Sequence, residues 1–186
     1  WNNPGIPYVE NPSVGVPNIQ IIGQSIAGVT VQAAGPGPCF AILAPGVTIL
    51  NLQIVCPVVV SGTFGVYMFP SSMQCKILNN QILNFDYGVV IDNSPNNQII
   101  GNDISNCIAT PVQPPWCSTG VFMLGAGATG NIVRGNELGL TAPNWYGVGT
   151  NGASGNTITL NNFWFNINFP EAFVVQGDVN TWDSAA

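Results

Sequence analysis

The chain has 186 residues, of which 46 % are hydrophobic and only 5 % charged, with a formal net charge of −6 and no histidine. Its two basic residues, Lys76 and Arg134, cannot neutralise a phosphate backbone, which excludes a nucleic-acid binder. The missing imidazole excludes a histidine general base, Ser–His and Cys–His nucleophile pairs, and histidine metal ligands. No stretch approaches the ~20 apolar residues of a membrane span, and the chain is too apolar for disorder. A soluble surface normally carries about a quarter to a third charged residues. Here Ser, Thr, Gln, Gly and 23 Asn must cover it. Such a surface is expected where much of it is buried against neighbours in an assembly, or where it faces a salty or acidic cell exterior. A compositional bias of the source would give the same picture.

In chain order, residues 1–17 carry four prolines, Pro4, Pro7, Pro12 and Pro17. They are predicted to form an extended arm, not a helix. The arm either folds over its own end of the domain as a cap, or the arm and the uncapped ends serve head-to-tail stacking or an arm lent to a neighbour, or the chain is cut from a longer repeat. The start at Trp1 without an initiator Met reads as a processed chain or a fragment. The one Asn-x-Ser sequon, Asn11-Pro12-Ser13, is disabled by its proline.

Residues 18–186 read as one domain built on a repeat. An aromatic–small–aliphatic triplet recurs at Phe40-Ala41-Ile42, Phe64-Gly65-Val66, Tyr87-Gly88-Val89, Thr119-Gly120-Val121 and Tyr146-Gly147-Val148, and more loosely at Phe173-Val174-Val175. A six-residue block follows each of the first five, starting at Ile49, Ile77, Ile99, Val133 and Ile158; Ile21 to Ile26 fits the same frame one step earlier. Each block is apolar at its first and sixth positions, and four carry Asn at the fourth: Asn80, Asn102, Asn136 and Asn161. This spacing is not helix-periodic and suits short strands broken by a bend. Gly- and Asn-rich clusters, such as residues 93–97 and 125–130, supply the turns between them. A repeat of about 23 residues cannot bury its own apolar face, but stacked repeats ~4.8 Å apart bury a continuous column. The expected columns are aromatic (40, 64, 87, 146, 173), aliphatic (49, 77, 99, 133, 158) and Asn (80, 102, 136, 161), with stacked amides hydrogen-bonding along the axis.

With these residues the chain resembles a right-handed parallel β-helix of the pectate-lyase-like superfamily, more narrowly the short parallel β-helix repeat proteins. The motif that carries the resemblance is Gly88-Val89…Asn97-Gln98-Ile99…Asn102-Asp103-Ile104, and Asn18 to Gln24 is similar to the opening coil of that family. The resemblance covers about residues 18–183 and implies an all-β solenoid of about seven coils. The alternative is a β-sandwich, whose strands would alternate more cleanly. Active members of the superfamily carry clustered Asp, His, Arg or Lys on one outer face. None of those motifs is present, so no catalytic residue carries over.

Three features are candidate sites. The residue after the Asn column points outward, and Asp103 and Glu137 are expected on adjacent coils roughly 5 Å apart. That spacing suits a retaining glycosidase pair or a Ca²⁺ site with nearby carbonyls, with Arg134 near this face; the plainer alternative is a solvated acid pair. Trp116, Trp145 and Trp164 are candidates for stacking on sugars, or else for packing and interfaces. Asp86 and Asp92 read as turn residues, and Asp178 and Asp183 as charges blunting an exposed edge. Of five cysteines, an odd number with no C-x-x-C pair, Cys107 and Cys117 flank a Pro-rich insert. They form a disulfide if the compartment oxidises, and otherwise act as small buried hydrophobes. The expected function is a non-enzymatic extracellular structural protein, a β-helix subunit of a fibre, surface layer or virion surface. It needs no cofactor and self-associates. The competing expectation is a protein that binds or degrades polysaccharide.

Overall fold

A computed structural model describes residues 6–26, 28–58, 61–107, 119–139, 146–164, 173–176 and 179–182, with backbone alone for Trp164 and Phe173–Gln176. Within them the chain winds through short strands into three seven-stranded sheets, each coil giving one strand to each sheet. The first sheet runs from Tyr8–Val9 to Asn162–Trp164, the second from Ser13–Val14 to Phe173–Gln176, and the third from Gln20–Ile22 to Thr181–Trp182. The fourth coil is typical: Gln81–Leu83, Tyr87–Asp92 and Gln98–Ile100. Neighbouring strands come from successive coils and are parallel. This is a seven-coil parallel β-helix, as the repeat implies, and parallel pairing excludes the antiparallel sandwich. Residues 8–14 of the proline-rich stretch are already part of it. Tyr8–Val9 pairs with Thr30–Gln32, and Ser13–Val14 with Gly37–Ile42.

The bends explain the Asn content. Between the third and first sheets, the left-handed backbone position is filled by Asn51, Asn79, Gly101, Gly135 and Leu160, with φ from 50° to 66°. Asn and Gly tolerate this region best. The next residue turns inward: Leu52, then Asn80, Asn102, Asn136 and Asn161. Asn80 Nδ2 donates to Asn102 Oδ1 at 3.1 Å, Asn102 Nδ2 to Asn136 Oδ1 at 3.0 Å, and Asn136 Nδ2 to Asn161 Oδ1 at 2.9 Å. The same amides donate to the carbonyls of Ile49, Ile77 and Ile99. A second ladder, at the bend between the second and third sheets, links Asn97, Asn131, Asn156 and Asn180 in the same way. Its signal in the sequence is the other half of the doubled N-x-I motif, at Asn97-Gln98-Ile99. Buried backbone groups at both bends are thereby satisfied without water.

Apolar columns fill the bore. Ile21, Ile49, Ile77, Ile99, Val133, Ile158 and Trp182 stack in the third sheet. Val31, Ile54, Ile82, Ile104, Leu138 and Phe163 stack in the first. The expected aromatic column needs correction. Phe64 and Tyr87 share a register with Pro38 and Thr119, whereas Phe40 pairs with Val66 and Phe173 with Val148. Phe40 is a core residue, while Phe64 and Tyr87 are only half-buried. The triplets match Phe40 to Phe64, but the pairing sets the two rings two residues apart along the strands. The small middle residue of the triplet has a steric cause. A Cβ on Gly88 would collide with the Ile104 side chain and the Gly120 carbonyl, and one on Gly65 with Ile82 and the Gly88 carbonyl.

Candidate functional site

The outward position after the first Asn ladder forms a continuous polar row on the first sheet. Thr30 Oγ1 donates to Gln53 Oε1 at 2.8 Å, Gln53 Nε2 to Gln81 Oε1 at 2.8 Å, and Gln81 Nε2 to Asp103 Oδ2 at 3.0 Å. From the other side, Asn162 Nδ2 donates to Glu137 Oε2 at 3.0 Å. Asp103 and Glu137 are direct strand partners, so two carboxylates meet within the row, each held by an amide from the far side. Like charges directly opposite oppose pairing; a cation or ordered water between them would offset this. Among the described residues no group of three His, Cys, Asp or Glu lies together, and a Ca²⁺ site takes six to eight oxygens. Lys76 and Arg134 sit on the third sheet and are exposed, so neither lies in the strands that carry the acid pair.

Asp86 and Asp92 have local partners. Asp86 is buried, and its Oδ2 accepts the Gly62 N–H of the previous coil at 2.9 Å. Asp92 Oδ2 accepts the Tyr67 hydroxyl at 3.0 Å. Burial, then the hydrogen bond to Asp92 and its charge, push Tyr67 up to about 12. Asp178 and Asp183 lie outside the described residues, as do Trp116, Trp145 and Cys117. So does the side chain of Trp164, whose backbone pairs with Gly139. Cys107 is fully buried. Cys39, Cys56 and Cys75 are buried free thiols. Burial above all, then Cys56 and Glu10, pushes Cys39 up to about 12, which leaves it protonated and unreactive.

Two further surface features stand out, the first of which was not singled out from the sequence. The first is an aromatic row on the outer side of the second sheet. Phe64 and Tyr87 stack with centroids 5.4 Å apart, Tyr87 and Phe122 lie 5.8 Å apart, and Phe64 meets Tyr67 edge-on at 5.2 Å. Tyr67 and Phe122 alternate with the core residues Val66, Met68, Val121 and Met123, which places them outward. The alternation inside each six-residue strand was the available signal, masked by the triplet alignment.

The second is the N-terminal end of the stack. Ile6 (63 % exposed), Val9 (57 %), Val16 (58 %) and Ile22 (55 %) present apolar surface there, with Tyr8 and Ile26 also exposed. A cavity of about 530 Å³ opens at this end, lined among others by Tyr8, Ile21, Val31, Phe40 and Leu52. Among the described residues, Glu10 is the only charged one in its lining. The density of apolar residues among the prolines of 1–17 was its sequence signal.

A family model described as a right handed beta helix region matches residues 64–176. No curated protein and no solved structure matches the chain.

Proposed function

This chain belongs to the right-handed β-helix family, and from that premise we propose that it is a non-enzymatic, extracellular structural subunit that associates with copies of itself. The assembly would be a fibre, a surface layer or a virion surface. The observation that carries the reading is the apolar surface of the first coil, where Ile6, Val9, Val16 and Ile22 are exposed beside a cavity with a largely apolar lining. Clustered apolar surface of this kind is normally covered. The low charge of the chain supports it, because neutral amide surface tolerates close contact between copies without like-charge repulsion. Light scattering after size-exclusion chromatography, over a hundredfold range of concentration, tests it. The molar mass is expected to rise with concentration. A constant monomer mass would overturn the reading.

A second reading, carbohydrate binding, is supported by the row Phe64, Tyr87 and Phe122. Flat rings spaced near the strand repeat, beside the Tyr67–Asp92 pair, suit stacking on sugar faces with a polar group alongside. Polysaccharide affinity electrophoresis of the wild type and Tyr87→Ala distinguishes it: retardation lost in the variant favours binding, and no retardation in either removes it. Polysaccharide turnover lost in Asp103→Ala and Glu137→Ala would instead make the acid pair catalytic.

A further inference from the structure

We infer that copies of this chain pack side by side through two unlike faces: the third sheet of one copy lies on the first sheet of the next, with the two stacks parallel and level. This rests on the self-association proposed above and adds its surfaces and its register.

The charges select the faces. Both basic side chains of the chain, Lys76 and Arg134, stand exposed on the third sheet. The first sheet carries the paired acids Asp103 and Glu137. On the second sheet Asp92 already accepts the Tyr67 hydroxyl and the Asn93 amide. Two third sheets face to face would set bases against bases, and two first sheets would set acids against acids. Third against first brings opposite signs together. Complementary charge of this kind fixes partner and register more than it adds affinity.

The side chains along the stack give the register. In the three-residue strands of both sheets the middle residue enters the core, as Ile77 and Ile82 do, and its neighbours face outward. Leu50, Leu78, Ile100 and Arg134 are strand partners in turn, so they form one outward column on the third sheet. The row Gln53, Gln81, Asp103 and Glu137 is the corresponding column at the start of the first-sheet strands. Where two parallel stacks touch, their facing strands run in opposite directions. The last residue of a third-sheet strand therefore comes opposite the first residue of a first-sheet strand. A third-sheet strand also closes its coil, so its height falls between the first-sheet strand of that coil and that of the next. With the copies level, Arg134 of one copy falls between Asp103 and Glu137 of the other. Its forked guanidinium has donors enough for both carboxylates, and it offsets the like charges that face each other within one copy. Below it, Leu78 and Ile100 cover Gln53 and Gln81. Those amides already bond along their own row, so covering them leaves few polar groups unpaired. The contact joins unlike faces, so each copy added presents both faces again.

Sedimentation velocity over a range of concentration tests this with charge reversals. Arg134→Glu alone, and Asp103→Lys with Glu137→Lys, are each expected to weaken association at least about tenfold, because each sets like charges opposite one another. The chain carrying all three reversals regains opposite signs and is expected to associate like the wild type. If circular dichroism shows that the lysine variant does not fold, Asp103→Asn with Glu137→Gln replaces it. In that neutral background Arg134→Glu should lose most of its effect. If the wild type associates but Arg134→Glu leaves it unchanged, or the triple reversal associates no better than Arg134→Glu alone, or Arg134→Glu acts fully in the neutral background, this contact is wrong while self-association stands. If the wild type is monomeric throughout, the self-association reading itself has failed.

Discussion

Asn102 shows what a single side chain does in this molecule. Its Oδ1 accepts the Asn80 backbone N–H at 2.9 Å and the Asn80 Nδ2 at 3.1 Å, and its own Nδ2 donates to the Ile77 carbonyl at 2.9 Å. All of these groups are buried, and an orphaned buried polar group costs about 1–3 kcal/mol. Asn102→Ala is therefore expected to destabilise by roughly 3 kcal/mol or more, measured by denaturant unfolding; a loss under ~1 kcal/mol would mean the ladder only decorates the bend. The column was legible because Asn recurs at one position of the repeat. Its partner ladder at Asn97 was less so, because Cys75 and Val47 occupy the corresponding place in the earlier coils. Residue-scale electrostatics also set the response to alkali. Cys39 stays protonated in the fold up to about 12, against 9.0 for an unperturbed thiol. Above pH ~9 the unfolded chain loses a proton that the folded chain keeps, so stability falls with rising pH through the window from 9 to 12 and is unaffected below it. The slope from this thiol is at most about 1.4 kcal/mol per pH unit. Tyr67, also raised but partly exposed, adds a smaller effect of the same sign. Thermal unfolding across pH 7–11 checks this; Cys39→Ala should flatten the decline, and an unchanged slope in that variant would contradict the assignment.

At the scale of the strand, the fold is decided by which residues fit where coils close on each other. Gly88 is the small member of its triplet because a Cβ there meets Ile104 and the next coil's backbone. Overpacking of a tight core typically costs about 1–3 kcal/mol. Gly88→Ala should destabilise by that order, while Gly35→Ala, where nothing lies within 4 Å, should be neutral or mildly stabilising. Equal melting temperatures for the two variants would refute the steric account. The triplets made these strands visible, yet their alignment failed at both ends. Phe40 pairs with Val66 and Phe173 with Val148, two residues out of step with the sequence match. The triplet alignment placed Phe64 and Tyr87 in a buried column and left Phe122 unassigned, which hid the outer row that these three rings form.

The described residues form a stack of like coils, and the architecture was legible because the repeat states the same instruction six times. The sites were not, because a surface without histidine and with two basic residues has little chemistry to announce, and the strongest surface features are collective. The apolar surface of the first coil exists only once Tyr8, Val9, Ile21 and Ile22 are brought together by pairing with the second coil. Asp103 and Glu137, adjacent in the frame of the repeat and paired in the structure, were the exception, since one register step suffices to place them. The central claim is that copies of this chain associate. Electron microscopy of the purified protein at neutral pH, without added partners, tests it most directly. The account predicts filaments or ordered arrays. Dispersed single particles at high protein concentration would contradict it.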